Sequence, residues 1–263
     1  VPTPHDNKKA FIKAFNSIAL HDHRHTVFAD FMEMAYCAIA KTTTTGETAD
    51  AIEARYMAIV ARHKPDDIRK MPELLGIIAS ELGGQYAGGD FLGSVVGELE
   101  LLNGNMGQFF SPFALCKLMA EMQLSDVGET IKDRGFVTLS EPASGAGGMI
   151  LAAADVIASK GFDVSQTLYV DATDLASLCF HMTYVQLSLR GIPATVRRGN
   201  TLSLEMFENA RTPALLPFLM RHGDPFAKRE GDHPEVISRI PEPPQRPARG
   251  NPKGQLSLFE GLS

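Results

Sequence analysis

The sequence holds no apolar run long enough to cross a bilayer, and its first residues lack the apolar core of a signal peptide, so no membrane partner and a cytoplasmic location are expected. Cysteine is scarce. Cys37, Cys116 and Cys179 are odd in number and widely spaced, which excludes a disulfide framework and predicts buried free thiols in a reducing compartment. Basic excess is also missing: Lys and Arg number 25 against 31 Asp and Glu, a formal net charge of −6. That balance excludes a surface coated for nucleic acid but leaves room for a local basic cleft. No repeat of 20 to 50 residues is visible. Three histidines within five residues, His21, His23 and His25, have no companion ligands elsewhere; they read as a polar cluster before a helix, and no metal centre is expected.

What is present suits an ordinary folded protein: 263 residues, 44% hydrophobic and 21% charged, enough for one good-sized core. The first hundred residues read as helices. Phe11, Ile12, Phe15 and Ile18 recur at helical spacing within Asp6–Leu20, and further helices are expected over Val27–Ala40, Ala51–Lys64, Asp66–Leu82 and Phe91–Glu98. From Gly107 the character changes. Gly107-Gln108-Phe109-Phe110-Ser111-Pro112 is a compact turn ahead of a helix reaching about Gln123.

The most informative stretch is Phe136 to Met149. It reads as a short strand, an acid at the strand's end (Glu141), a glycine-rich turn and a helix to Ser159. In an open α/β sheet a ligand sits at such a junction, outside the carboxyl ends of the strands. Glycines let the backbone approach the ligand, and the helix start offers unpaired N–H groups to a carboxylate or phosphate. The spacing fits neither G-x-G-x-x-G nor G-x-x-x-x-G-K-[ST]. Thr167–Asp174 is a second strand ending in acids, Leu175–Arg190 a helix stopped by Gly191, and Pro193–Arg198 a third strand leading to Asn200. Strand–helix alternation of this kind implies right-handed crossovers and a parallel sheet, hence an α/β fold. Asp174, or Asp171 if the strand ends earlier, is placed to accept two ribose hydroxyls. Asn200 has both a donor and an acceptor for an adenine edge. With no Lys or Arg beside the turn to hold phosphate, S-adenosylmethionine is favoured over ATP or NAD.

Between about Asp90 and Leu204 the sequence resembles the N6-adenine DNA methyltransferases of the type I restriction-modification modification-subunit kind. Gly107–Pro112 is similar to that family's G-Q-F-[FY]-[ST]-P signature. Glu141–Gly148 resembles D-P-[AS]-[CS]-G-[ST]-G-G, with Glu in place of Asp and Ser144 in place of Cys. Gly199–Leu202 resembles G-D-T-L, with Asn200 replacing Asp. The resemblance implies a Rossmann-like methyltransferase core and S-adenosylmethionine contacts from Phe110, Ser111, Pro112, Glu141, Ala143, Gly145, Asp174 and Asn200. It also implies double-stranded DNA as substrate, methylation at adenine N6, and a possible separate specificity subunit, because little chain beyond Thr201 remains for target recognition. The alternative is an inactive methyltransferase-like protein that binds the cofactor, DNA or a partner.

The family's catalytic motif, [DN]-P-P-[FY], does not occur. Its nearest echo is Asp224-Pro225-Phe226, one proline short, following the apolar run Ala214–Met220; Asn209 with Pro213 is a looser one. Asp224 and Phe226 are therefore the catalytic candidates. The expected organisation is a helical domain over 1–103, the methyltransferase core over 104–233, and a Pro-rich tail over 234–263 that cannot bury a core. The tail ends in Gln255-Leu256-Ser257-Leu258-Phe259, which resembles the pentapeptide that docks on the DNA polymerase sliding clamp. Gln255, Leu256, Leu258 and Phe259 would make that contact, or the segment packs back on the domain.

Overall fold

The computed structural model describes residues 4–83, 88–101 and 110–225. The expected boundaries at 103/104 and 233/234, and the whole tail with its terminal peptide, lie outside the described residues. Six helices come first: α1 (Pro4–Phe15), α2 (Arg24–Ala40), α3 (Gly46–Val60), α4 (Pro65–Ile68), α5 (Met71–Leu82) and α6 (Phe91–Glu98). Then follow α7 (Phe113–Gln123), α8 (Val127–Arg134), β1 (Val137–Glu141), α9 (Gly148–Ser159) and α10 (Val164–Thr167). The chain continues through β2 (Leu168–Asp174), α11 (Ser177–Leu189), β3 (Ala194–Asn200), β4 (Glu205–Arg211) and α12 (Leu215–His222).

The early helices form because their apolar residues recur on one face. Phe11 and Phe15 of α1 meet Phe28 and Phe31 of α2, with ring centroids 5.8–6.5 Å apart, and Phe91 closes on Phe11 at 5.9 Å. Phe11, Phe15 and Phe28 are fully buried, so truncating any one of them to Ala costs about 3–5 kcal/mol. The single helix expected over Asp66–Leu82 is two. Pro72 sits in the first turn of α5, where its missing N–H costs nothing, but it could not have continued α4.

Three strands are parallel in the order β1-β2-β3, as the alternation of strands and helices requires. Helix α11 is buried almost all round, from Cys179 to Leu187, because it lies between the sheet and α2. One continuous core runs from Phe11 through α11 and the sheet to Ala210.

Besides the short helices α8 and α10, two further elements were not expected. Strand β4 pairs antiparallel with β3 across a register shift at Arg198/Gly199. Gly199 is required there: a Cβ would lie 2.5 Å from Met206 Sδ and 2.6 Å from the Glu205 carbonyl. The apolar run Ala214–Met220 stands where the sequence motif calls for a hydrophobic strand, yet it folds as α12. Leu215 and Phe218 are buried at helical spacing against Phe136 and Tyr169, while Leu216 and Met220 face outward. No helix among the described residues is long and apolar enough to cross a membrane.

Candidate cofactor site

The glycine turn after β1 is held from five directions. The Ser144 N–H donates to the Thr173 carbonyl at 3.0 Å, and the Gly145 N–H donates to Asp174 Oδ2 at 2.8 Å. Thr183 of α11 places its hydroxyl 3.0 Å from the Gly145 carbonyl and 3.1 Å from Ser144 Oγ. Gln186, fully buried, donates to the Ala146 carbonyl at 2.7 Å. Thr201, after β3, donates to the Pro142 carbonyl at 2.7 Å. Gly145 and Gly147 have φ of +56° and +95°, and Gly147 is the N-cap of α9. A Cβ on Gly145 would come within 3.2 Å of the Phe110 ring. The turn is thus a rigid cradle at the carboxyl end of the sheet.

The structure separates the two candidate ribose acids. Asp171 is spent within the sheet, ion-paired to Arg197 of β3. Asp174 is at the strand's end; its Oδ1 accepts from the Ala176 N–H at 2.9 Å while Oδ2 holds Gly145. The Cys179 thiol also bonds to this carboxylate, which leaves one of its four lone-pair sites for a hydroxyl. Glu141 reaches the Ala143 N–H at 3.1 Å, and burial, opposed by that bond and reinforced by the charge of Asp174, raises its carboxyl above the ordinary range. Asn200 departs from expectation. Its Oδ1 accepts from the N–H groups of Leu202 and Ser203 at 3.0 and 3.3 Å, so the amide oxygen folds the loop and only the NH₂ end remains to meet an adenine nitrogen.

Phe110, Ser111, Ala143 and Gly145 line a notch of about 80 Å³ between the cradle and α7. Asp90, Cys116 and Met149 complete its walls. Pro112 is the N-cap of α7 beside it. Asp90 was not singled out from the sequence, and neither was Gln186. Gln186 accepts from the Leu92 N–H and donates both to Asp90 Oδ1 and to the Ala146 carbonyl, tying the segment before α6 to the cradle. A polar residue in a run that is otherwise apolar, such as Gln186 between Val185 and Leu187, was the available signal.

Of the catalytic candidates, Asp224 follows helix α12. His222 Nε2 donates to the Gln166 carbonyl at 2.8 Å and lies beside Gly135, at the N-terminal ends of β2 and β1. Asp224 follows two residues later in the chain. Phe226 lies outside the described residues. Asn209 pairs with Arg197 and lines a larger cleft, about 830 Å³, formed by Thr42–Thr45, α3, β4 and α12, with no residue of the cradle in its walls. No group of three or more metal-ligating side chains occurs among the described residues.

A Rossmann-like α/β sheet with acids at two adjacent strand ends, joined through a glycine cradle, is a site suited to an adenosine-containing cofactor. Residues 99–216 match the family model N-6 DNA Methylase, and the cofactor that this match indicates is S-adenosylmethionine. No curated protein sequence matches the chain. Among solved structures it is similar to a type I restriction-modification methyltransferase subunit from Streptococcus thermophilus: 13% identity, TM-score 0.43, covering 76% of this chain and 59% of that one. It is also similar to a structure assigned to the class I S-adenosylmethionine-dependent methyltransferases from Listeria monocytogenes: 10% identity, TM-score 0.43, covering 83% of this chain and 71% of that one. The residues at the cradle fit the cofactor: acids for hydroxyls, an amide NH₂ for the base, and glycines where a Cβ would close the notch.

Proposed function

We propose that the protein methylates the N6 amino group of adenine in double-stranded DNA. The observation that carries this reading is the convergence of Glu141, Asp174 and the Gly145–Gly148 turn at neighbouring strand ends, locked by the Asp174–Gly145 hydrogen bond. The cofactor supplies an electrophilic methyl group. The chain's contribution is binding and alignment: Asp174 and Glu141 take hydroxyls, Asn200 an edge of the base, and the walls of Phe110 and Ser111 the amino-acid end. Transfer of labelled methyl from S-adenosylmethionine to methylation-free duplex DNA tests it, with Glu141→Ala alongside. Label at adenine N6 that disappears in the variant is expected; no label from protein that binds the cofactor would overturn the reading.

The absence of a [DN]-P-P-[FY] tetrapeptide from the sequence favours a second reading, a module that binds cofactor and DNA but needs another chain to present the target base. Here a separate specificity subunit would supply recognition, and Gln255, Leu256, Leu258 and Phe259 would tether the protein to a sliding clamp on DNA. Three buried free cysteines suit a cytoplasmic setting for either reading.

A further inference from the structure

Among the described residues, the donors to the Asp90 carboxylate are neutral. Its Oδ1 accepts from the Gly93 N–H at 2.8 Å, capping α6, and from Gln186 Nε2 at 2.8 Å. Its Oδ2 lies between Gly93 of α6 and the start of α9, 2.0 Å from where a Cβ on Gly93 would stand and 3.0 Å from where one on Gly148 would. Asp90 lines the notch together with Phe110, Ser111, Gly145 and Gly148. A side chain at position 148 would fill the gap between the acid and the helix start. Burial raises the Asp90 carboxyl above its usual range, and both hydrogen bonds act against that rise. A carboxylate desolvated to this degree gains most from a cation brought into contact with it.

The opposite wall carries the complementary feature. Helix α9 runs twelve residues, and its first two, Gly148 and Met149, line the same notch, where the N–H groups of a helix start are unpaired within the helix. An anion is favoured there. A carboxylate-binding helix start and a cation-binding acid on facing walls of an 80 Å³ space match a group that carries both charges on one carbon, an α-amino acid.

Resting on the cofactor reading above, we propose that Asp90 is a binding residue for S-adenosylmethionine, taking the ammonium of its methionine portion while the start of α9 takes the carboxylate. Glu141, Asp174 and Asn200 are left for the adenosine. Gln186 then has a defined part: its single side chain fixes the distance between Asp90 and the glycine turn, and so the width of the notch.

The test compares two ligands on the full chain by calorimetry: S-adenosylhomocysteine, and its deaminated analogue, which keeps the carboxylate and loses only the ammonium. Asp90→Asn and Asp90→Ser are the variants, because both retain an acceptor for the Gly93 N–H and so preserve the cap. Wild type is expected to prefer S-adenosylhomocysteine by about 10- to 100-fold, the worth of a charge-assisted hydrogen bond. Both variants should lose that preference by weakening S-adenosylhomocysteine and leaving the analogue unchanged. Two ligands weakened in proportion would reduce Asp90 to a helix cap and overturn the proposal, as would a preference that survives in whichever variant remains folded. Wild-type protein that binds neither ligand would overturn the cofactor reading itself.

Discussion

Asp174, at the end of β2, accepts the Gly145 N–H at 2.8 Å, so an acid on one strand fixes the turn that follows its neighbour. Its other oxygen fixes the turn after β2 through Ala176. One carboxylate therefore sets the spacing of two loops at the mouth of the sheet. The same group that would bind ribose also builds the surface on which the rest of the cofactor lies.

Asp174→Ala should accordingly weaken S-adenosylhomocysteine by more than the loss of one ligand contact. Hydrogen bonds to a charged group contribute about 1.5–3 kcal/mol each, so about a 10- to 100-fold loss of affinity is expected from the contact alone, with loosening of the cradle added. Asp174→Asn keeps one acceptor and should fall between. Calorimetric titration of the three proteins decides it; equal affinities would remove Asp174 from the site.

Gly145→Ala and Gly161→Ala form a matched pair. Both glycines have positive φ, +56° and +84°, so each substitution carries a backbone cost of about 1–2 kcal/mol. At Gly161 nothing lies within 4 Å of the new methyl, whereas at Gly145 the Phe110 ring is 3.2 Å away and must move. Thermal melts should drop by similar amounts. Only Gly145→Ala should reduce cofactor affinity, because Phe110 is a wall of the notch; equal binding by both variants would argue against the notch as part of the site.

Much of this was legible in the sequence because it is written in short-range signals. Strand, acid, glycine turn and helix follow one another within Phe136–Ser159, and local chemistry alone places Glu141 at a strand tip. Periodicity likewise finds the helix that buries Phe11 and Phe15. What escaped depends on contacts far apart in the chain. Asp90 meets Gln186 across 96 residues, and nothing near either residue announces the pairing. β4 carries weak alternation and is a strand only because β3 offers it an edge. The run Ala214–Met220 was read through a motif in place of its own spacing, in which Leu215 and Phe218 share a helical face.

The terminal peptide offers a test independent of the cofactor site. Deleting Gln255–Ser263 should abolish co-precipitation with a purified sliding clamp and leave S-adenosylhomocysteine affinity unchanged. Retained co-precipitation would end the tether reading.

His181 gives the folded protein a pH signature. Its ring is 2% exposed, stacks on Tyr36 with centroids 5.0 Å apart, and brings Nε2 within 2.9 Å of Arg55 Nη2. Arg55 also pairs with Glu33 of α2 and Glu208 of β4, and Arg198 adds positive charge from β3. Burial first, then Arg55 and Arg198, lower the His181 pKa to about 3. The ring is thus neutral when folded, with Nε2 accepting from Arg55. In the unfolded chain it takes up a proton near pH 6.5. Between pH 6.5 and about 3 the unfolded state binds the extra proton, so stability is complete above 6.5 and falls as the pH is lowered, by up to about 1.4 kcal/mol per pH unit. His181→Gln keeps an acceptor for Arg55 and removes the titration. It should be less stable at neutral pH through imperfect packing, yet flatter than wild type from pH 6.5 to 4.5, above the range where most carboxylates titrate. Urea denaturation across that interval measures both slopes, and parallel curves would mean that His181 is not the group that loses its proton on folding.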